Sequence, residues 1–371
     1  MFWIESQRLS STRLSLIRRV MEAAPVGAIN LALGELSYPM PQSLKNYAIE
    51  ILRDGNPRYT SNAGLIELRE IIANNHGCKA EQVCVCNGAE EAIFITLMSL
   101  INPGDTIAIP DPDYTAYPAL GTILESQIKR LHFVDGFSKI DWEQWEATFK
   151  TGVKAVLLSA PSNPSGFCFT EQDATKFGDL CNHYGIIVIV DEIYTKLYFD
   201  QAPLSLQGYV QNLVRIGGLS KSHCLSGWRI GWVIAPQEIA PAMVKAKQYV
   251  STCSNWLSQQ LAIFALSSTG MAEAETIRLR LKQSNHYIKQ ELQAKLPSLF
   301  NACHIPQATP YIMLKTVNPD DLEVSTQLAN AGLITVPGSA FGEASKGWLR
   351  LNIGVELPLL ERSMAILTQI R

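Results

Sequence analysis

The chain has 371 residues, 47% hydrophobic and 18% charged, with a formal net charge of −3. A chain this apolar is not disordered, 24 Gly and 19 Pro are too few for a collagen-like fibre, and 31 Lys+Arg against 34 Asp+Glu give no basic excess for a nucleic-acid partner. No membrane partner is expected: the longest apolar runs, such as Ile186–Val190, fall far short of the ~20 residues of a spanning helix.

Glu5, Arg8 and Arg13 break up the apolar residues at the N-terminus, which therefore lacks the core of a signal peptide. From residue 81 to 234, short β-rich runs alternate with helical stretches. The runs are Val83–Cys86, Thr106–Ile109, Ile128–Phe133, Val153–Ser159, Ile186–Val190, Leu213–Ile216 and Ile230–Ile234. Several are nearly all Val, Ile and Leu, as in strands buried on both faces. Glu90–Leu100 and Glu171–Tyr184 read as helices, the second opened by Thr170 as N-cap with Glu171 and Asp173 in the first turn. This alternation implies an α/β fold, a mostly parallel sheet of these seven strands with helices on both faces.

Past Pro236 and Pro241 the texture changes. A helical region over about 238–295 leads to strand-like runs at Tyr311–Thr316, Leu333–Val336 and Trp348–Ile353 and a last helix near Leu357–Ile370. The expected organisation is a large domain over 41–240, a smaller α+β domain over 241–371 that includes the long helical connection, and a 1–40 segment packed with the smaller domain. The eight cysteines form no CxxC and read as reduced, buried thiols of a cytoplasmic protein.

GxGxxG, GxxxxGK[ST], GxSxG and HExxH are absent and the six His are dispersed, so neither a dinucleotide fingerprint nor a metal site is expected. The remaining chemistry lies in loops that follow strands, where open α/β sheets bind ligands. At Cys86-Asn87-Gly88-Ala89-Glu90-Glu91 a strand ends, a glycine permits close approach and a helix begins; this suits a phosphate, or is an ordinary turn. In Asp111-Pro112-Asp113-Tyr114 the tyrosine can lie flat on an aromatic ligand or sit half-buried in a turn. The proline-rich loop Ser159–Gly166 can aim the Asn163 amide at a ligand oxygen, or be only a tight turn. Asp191 ends an apolar strand and needs a partner, either a protonated cofactor nitrogen or a structural cation. Lys221, in the Ser/Gly-rich loop that ends in Arg229-Ile230-Gly231, is a Schiff-base nucleophile if partly desolvated and a plain solvated lysine otherwise. Arg350, in the apolar run Gly347–Asn352, calls for a carboxylate held bidentately, from a ligand or from the chain itself.

In this order, and together with Tyr59…Gly64-Leu65…Glu67-Leu68-Arg69, Asn102-Pro103-Gly104-Asp105 and Val336-Pro337-Gly338-Ser339-Ala340-Phe341-Gly342, these loops make the chain resemble the class I/II aminotransferases from Gly34 to Arg350. Those are fold type I enzymes dependent on pyridoxal 5′-phosphate. The resemblance implies that Lys221 forms the Schiff base and then shuttles the proton, that Asp191 pairs with the pyridine nitrogen, and that Tyr194 and Asn163 hydrogen-bond the ring oxygen. Tyr114 is implied to stack on the ring. Gly88, Ala89, Glu90, Ser220 and Arg229 are implied to bind the phosphate, joined across a homodimer by Tyr59 of the neighbouring subunit. Arg350 is implied to clamp the substrate α-carboxylate, with Gly34 and Asn163 beside it. The implied reaction moves an amino group from an L-amino acid to a 2-oxo acid in a ping-pong cycle.

Some positions depart from the family pattern. Gly218 stands where many relatives carry a phosphate-binding serine, Ser165 where threonine is usual, and Pro310-Tyr311-Ile312-Met313 where a glycine-containing segment is common. No second arginine for a dicarboxylate side chain is identifiable; Arg58 reads as a solvent-facing cation and His223 as a packing residue. The same loops serve C–S β-lyases and amino-acid cyclases, which are separated by product release without an oxo-acid acceptor. A non-catalytic cofactor sensor would need a partner domain that this chain does not carry, and a nicotinamide dehydrogenase would need its glycine fingerprint.

Overall fold

The structure is a computed structural model that describes residues 5–12 and 16–370. After β1 (Ile29–Asn30), the chain lays down β2 (Val83–Cys86), β3 (Thr106–Asp111), β4 (Gln127–Val134), β5 (Lys139–Ile140), β6 (Ala155–Ser159), β7 (Ile187–Asp191), β8 (Leu213–Gly218) and β9 (Gly231–Ile234). β2 to β9 form one sheet in the order β2-β9-β8-β7-β6-β3-β4-β5. All seven expected strands are in it. β5 is an eighth, two residues long, too short to show any periodicity. The pairings from β8 through β7, β6 and β3 to β4 are parallel, and β2–β9, β9–β8 and β4–β5 are antiparallel.

The apolar runs are explained by cover on both faces. β6 is buried at every position. One face packs on helices Ala89–Leu100 and Ala240–Ser251, through Ile93, Leu97 and Met243. The other packs on Trp142–Phe149 and Glu171–His183, through Trp145, Phe149 and Phe177. Thr170 does cap the latter helix: its hydroxyl accepts from Asp173 N, and its own N–H donates to the Asp173 carboxylate.

The helical region after 238 is three helices, Ala240–Ser251, Trp256–Ala265 and Ser268–Ala294. The first ends at Thr252, whose φ of +62° turns the chain out of the helix. Asn255 and Ser267 then cap the next two by accepting from Ser258 N and Gly270 N. Beyond them come β10 (Phe300–His304), β11 (Tyr311–Thr316), β12 (Leu333–Ile334), β13 (Val336–Pro337) and β14 (Trp348–Asn352), and a last helix, Leu357–Gln369. β10-β11-β14-β13 is an antiparallel sheet, whereas β12 pairs in parallel with β1. The run expected as one strand over 333–336 therefore divides between two partners. Leu31, Leu36 and Tyr38 share one apolar cluster with Tyr311, Leu349 and Leu351, so the segment after β1 packs on this second sheet.

Because β3, β6, β7 and β8 run in parallel, Asp111, Ser159, Asp191 and Gly218 end on one edge of the large sheet. β14 and the segment after β1 meet that edge from the other side. The site lies between them.

Candidate active site

A cavity of about 580 Å³ opens there. Its floor is Asp191, buried at the end of β7. One carboxylate oxygen accepts from the Tyr117 hydroxyl at 2.9 Å and the other from Ile193 N at 3.1 Å. Among the described residues it forms no ion pair. Burial pushes its carboxyl up to about 6, against the pull of Tyr117, the Ile193 N–H and the charge of Lys221. The neighbouring Glu192 turns to Arg215, at 2.9 Å.

Asp113 ties two of the loops together. It accepts from Tyr114 N at 2.7 Å and from the Ser159 hydroxyl at 2.6 Å; that hydroxyl in turn accepts from Asn163 N at 3.0 Å. Tyr114 and Asn163 are thereby held to one another, both lining the cavity. Burial raises the Asp113 carboxyl to about 7.

Along one wall, Ser220 and a half-buried Lys221 follow β8. Arg229 has a left-handed backbone, φ +51°, and its guanidinium lies against Gly88. A Cβ at Gly88 would come within 2.6 Å of the Arg229 Nη2, and Gly88 itself has φ +93°. A Cβ at Gly231 would come within 2.7 Å of Ala89 N. The helix Ala89–Leu100 has no side-chain N-cap. Two glycines thus leave the first turn of a helix, at Ala89 and Glu90, open beside a cation, which is an anion cradle.

The opposite wall is Arg350 on β14, 2% exposed. Its Nη1 donates to the Asn163 side-chain oxygen at 2.8 Å and its Nη2 to the Ala32 carbonyl. The rings of Tyr311 and Phe341 flank the guanidinium at 4.2 and 4.8 Å. Its Nε is buried without a partner, and among the described residues no carboxylate pairs with it. Of the two partners weighed for Arg350, the internal Asp or Glu is therefore not found. Tyr194 and Gly34 complete this wall.

Tyr59 is not brought to the cavity. It is 89% exposed and lies in a separate surface hollow with Arg58, Cys253 and Trp256. His223 packs: it is buried between the Ser222 hydroxyl, 2.8 Å, and the Ala265 carbonyl, 3.0 Å, and burial lowers its ring to about 4. Tyr117, Tyr311 and Glu35 are among the cavity residues that no motif in the sequence marks. Tyr117 follows Tyr114 by one helical turn, a spacing that offered a signal. Tyr311 lay inside the departing segment 310–313. Glu35, hydrogen-bonded to Ser226 across the mouth, gave no signal.

The floor makes stability depend on pH. In the unfolded chain Asp191 and Asp113 ionise near ~4. Folding raises them to about 6 and about 7, so the folded state binds more protons above that point. Their contribution is complete below ~4 and is lost as pH rises through the folded values. His76 and His223, lowered by burial to about 4, act in the opposite direction over the same range. The Asp191 contribution is therefore read by difference: from pH 5 to pH 8 the melting temperature of cofactor-free Asp191→Asn should fall less, or rise more, than that of wild type. An identical pH dependence in that variant would contradict the assignment.

A mixed sheet of this order, with its cavity at the C-terminal edge of the parallel strands and a second antiparallel sheet facing it, defines a fold type I transferase. The chain belongs to the aminotransferase class I and II family, whose model matches residues 26–366. It is 30% identical to the aspartate aminotransferase of Geobacillus stearothermophilus, over 93% of this chain and 91% of that one. It is 27% identical to a probable aspartate aminotransferase of Methanocaldococcus jannaschii, over 98% and 99%. A double mutant of the Thermus thermophilus aspartate aminotransferase superposes with a TM-score of 0.91 over 99% of this chain and all of that one; at 22% identity this likeness concerns the fold. The protein is an aminotransferase.

Proposed function

We propose that this aminotransferase works through pyridoxal 5′-phosphate held in the cavity, taking the amino group of an L-amino acid and delivering it to a 2-oxo acid. The carrying observation is that a fully buried guanidinium, without a carboxylate partner among the described residues, faces the same cavity as Lys221. An uncompensated buried cation is costly and is relieved by an anionic ligand. The other features fit the cofactor too. The glycine cradle beside Arg229 suits its phosphate, the buried Asp191 suits a protonated ring nitrogen, and Tyr114 offers an aromatic face.

The cofactor, when bound, supplies an electron sink for the pair left on the substrate α-carbon. The chain does the rest. Lys221 would hold the cofactor and, as a free amine, would carry the substrate α-proton. Asp191, easily protonated when alone, is kept ionised by a cationic partner and keeps that partner charged. Tyr194 and Asn163 donate to the ring oxygen. The backbone of Gly88, Ala89 and Glu90, with Ser220 and Arg229, holds the phosphate; Gly218 brings no hydroxyl to it. Arg350 orients the α-carboxylate, with Asn163 and the Gly34 backbone beside it.

Tyr59, exposed and away from the cavity, fits a homodimer in which it serves the neighbouring subunit's phosphate. We further assign residues 41–240 to a cofactor-binding domain and 241–371, with the helical connection and the 1–40 segment, to a small domain that brings Arg350. Eight free cysteines fit a cytoplasmic setting. No helix among the described residues is long and apolar enough to cross a membrane.

The test is the visible spectrum of the cofactor-loaded protein during addition of single amino acids without acceptor. The expected result is a yellow band that bleaches with one amino acid and returns with a 2-oxo acid. Release of pyruvate or ammonia without an acceptor, and no reversible bleaching, would instead indicate a C–S lyase or a cyclase.

A further inference from the structure

The roles above leave Tyr311 without one, although it sits at their junction. Its hydroxyl is 2.8 Å from that of Tyr194, and 3.4 Å from the Gly34 carbonyl. The Arg350 guanidinium lies over its ring at 4.2 Å. Tyr311 and Tyr194 are both buried. A Cβ on Gly34 would run into the Tyr311 hydroxyl, so the close approach of this phenol to the 31–35 segment depends on a glycine there.

A phenol carries one proton and accepts through its oxygen. Two arrangements of the pair are open, and both keep the contact between the two hydroxyls. In one, Tyr194 donates to Tyr311, which donates to the Gly34 carbonyl. In the other, Tyr311 donates to Tyr194, and the Tyr194 proton is free for the cavity. Only the second lets Tyr194 donate to a ligand oxygen.

We propose that Tyr311 is a positioning residue of the reaction: by turning its hydroxyl proton from the Gly34 carbonyl to Tyr194, it commits the proton of Tyr194 to the cofactor ring oxygen. The inference rests on the reading that Tyr194 donates to that oxygen. A hydroxyl that accepts a hydrogen bond donates a stronger one. Without the Tyr311 hydroxyl, the buried Tyr194 oxygen loses its donor, and its bond to the ring oxygen weakens. The same turn releases the Gly34 carbonyl, two residues from the Ala32 carbonyl that holds Arg350.

The measurement is the pH midpoint of the visible colour change in the cofactor-loaded protein, compared among wild type, Tyr194→Phe, Tyr311→Phe and the double variant. A donor to the ring oxygen stabilises its anion and lowers the midpoint. Tyr194→Phe should raise it. Tyr311→Phe, which keeps the ring and its contact with Arg350, should raise it by less, about half a pH unit, the size of a fraction of one neutral hydrogen bond. In the Tyr194→Phe background the second substitution should add nothing. An unchanged midpoint in Tyr311→Phe, or the same shift in both backgrounds, overturns the proposal, since Tyr311 would then act only by packing or not at all. A Tyr194→Phe midpoint equal to wild type, or a colour that forms without Lys221, would mean that the reading of Tyr194 or of the cofactor itself fails, and the inference falls with it. Melting of the cofactor-free variants checks that each is folded.

Discussion

Replacing Lys221 with Ala should lower transamination by at least ~10⁴-fold, because one amine serves as covalent anchor, leaving group and proton carrier at once. It should also abolish the yellow band while leaving the fold intact. The side chain is only half-buried and lies in a turn after β8, outside every apolar cluster. Truncations at such positions cost within ~0.5 kcal/mol. The melting temperature of the cofactor-free variant should therefore match that of wild type. An added small amine should restore part of the proton transfer, since the cradle at Gly88 and Arg229 is untouched. A variant that keeps its band and its rate would remove Lys221 from the chemistry.

Replacing Arg350 with Met should lower kcat/KM for α-amino acids by roughly 10²–10⁴-fold, the range for removing one member of a buried charged pair. Arg350→Lys should recover little, because a point charge replaces a planar fork that already places one nitrogen on Asn163 and another on Ala32. The cofactor band should persist in both variants, since none of the phosphate or ring contacts proposed above uses Arg350. Stability should move the opposite way from activity. The guanidinium is buried with an unpartnered Nε and, among the described residues, no carboxylate, so an apolar side chain of similar length between Tyr311 and Phe341 removes a desolvated charge. The expected melting temperature of cofactor-free Arg350→Met is equal to or above that of wild type. Steady-state kinetics beside calorimetry decides it: unchanged kcat/KM would exclude Arg350 from substrate binding.

Much of this site was legible because its residues lie in contiguous loops with local signatures. The glycine that must precede the helix at Ala89, the carboxylate ending the apolar run at 187–190, and the lysine eight residues before Arg229 each appear as a short pattern. Their order along the chain then identified the family. The seven strands were legible for a similar reason: parallel strands covered on both faces are apolar throughout. β10 was not, because Phe300–His304 alternates buried and exposed positions on a partly solvated sheet and carries polar residues. The helical stretch after 238 read as one element because its breaks depend on Thr252, Asn255 and Ser267, single residues in an otherwise helix-forming composition.

By itself the sequence determined the class of chemistry and the list of residues with a charge or hydroxyl to contribute, since both follow from residue type and local spacing. Only the tertiary structure decided which of them meet. Tyr117 under Asp191 and Asn163 against Arg350 bring together residues 74 and 187 positions apart. Tyr311 lies between Tyr194 and Gly34, 117 positions from the one and 277 from the other. Contacts of that separation arise from sheet order and from the packing of β14 and the 31–35 segment over the edge of the large sheet, and no local pattern encodes them. The same packing leaves Arg350 without a carboxylate among the described residues, a property that only the placement of those residues in three dimensions reveals.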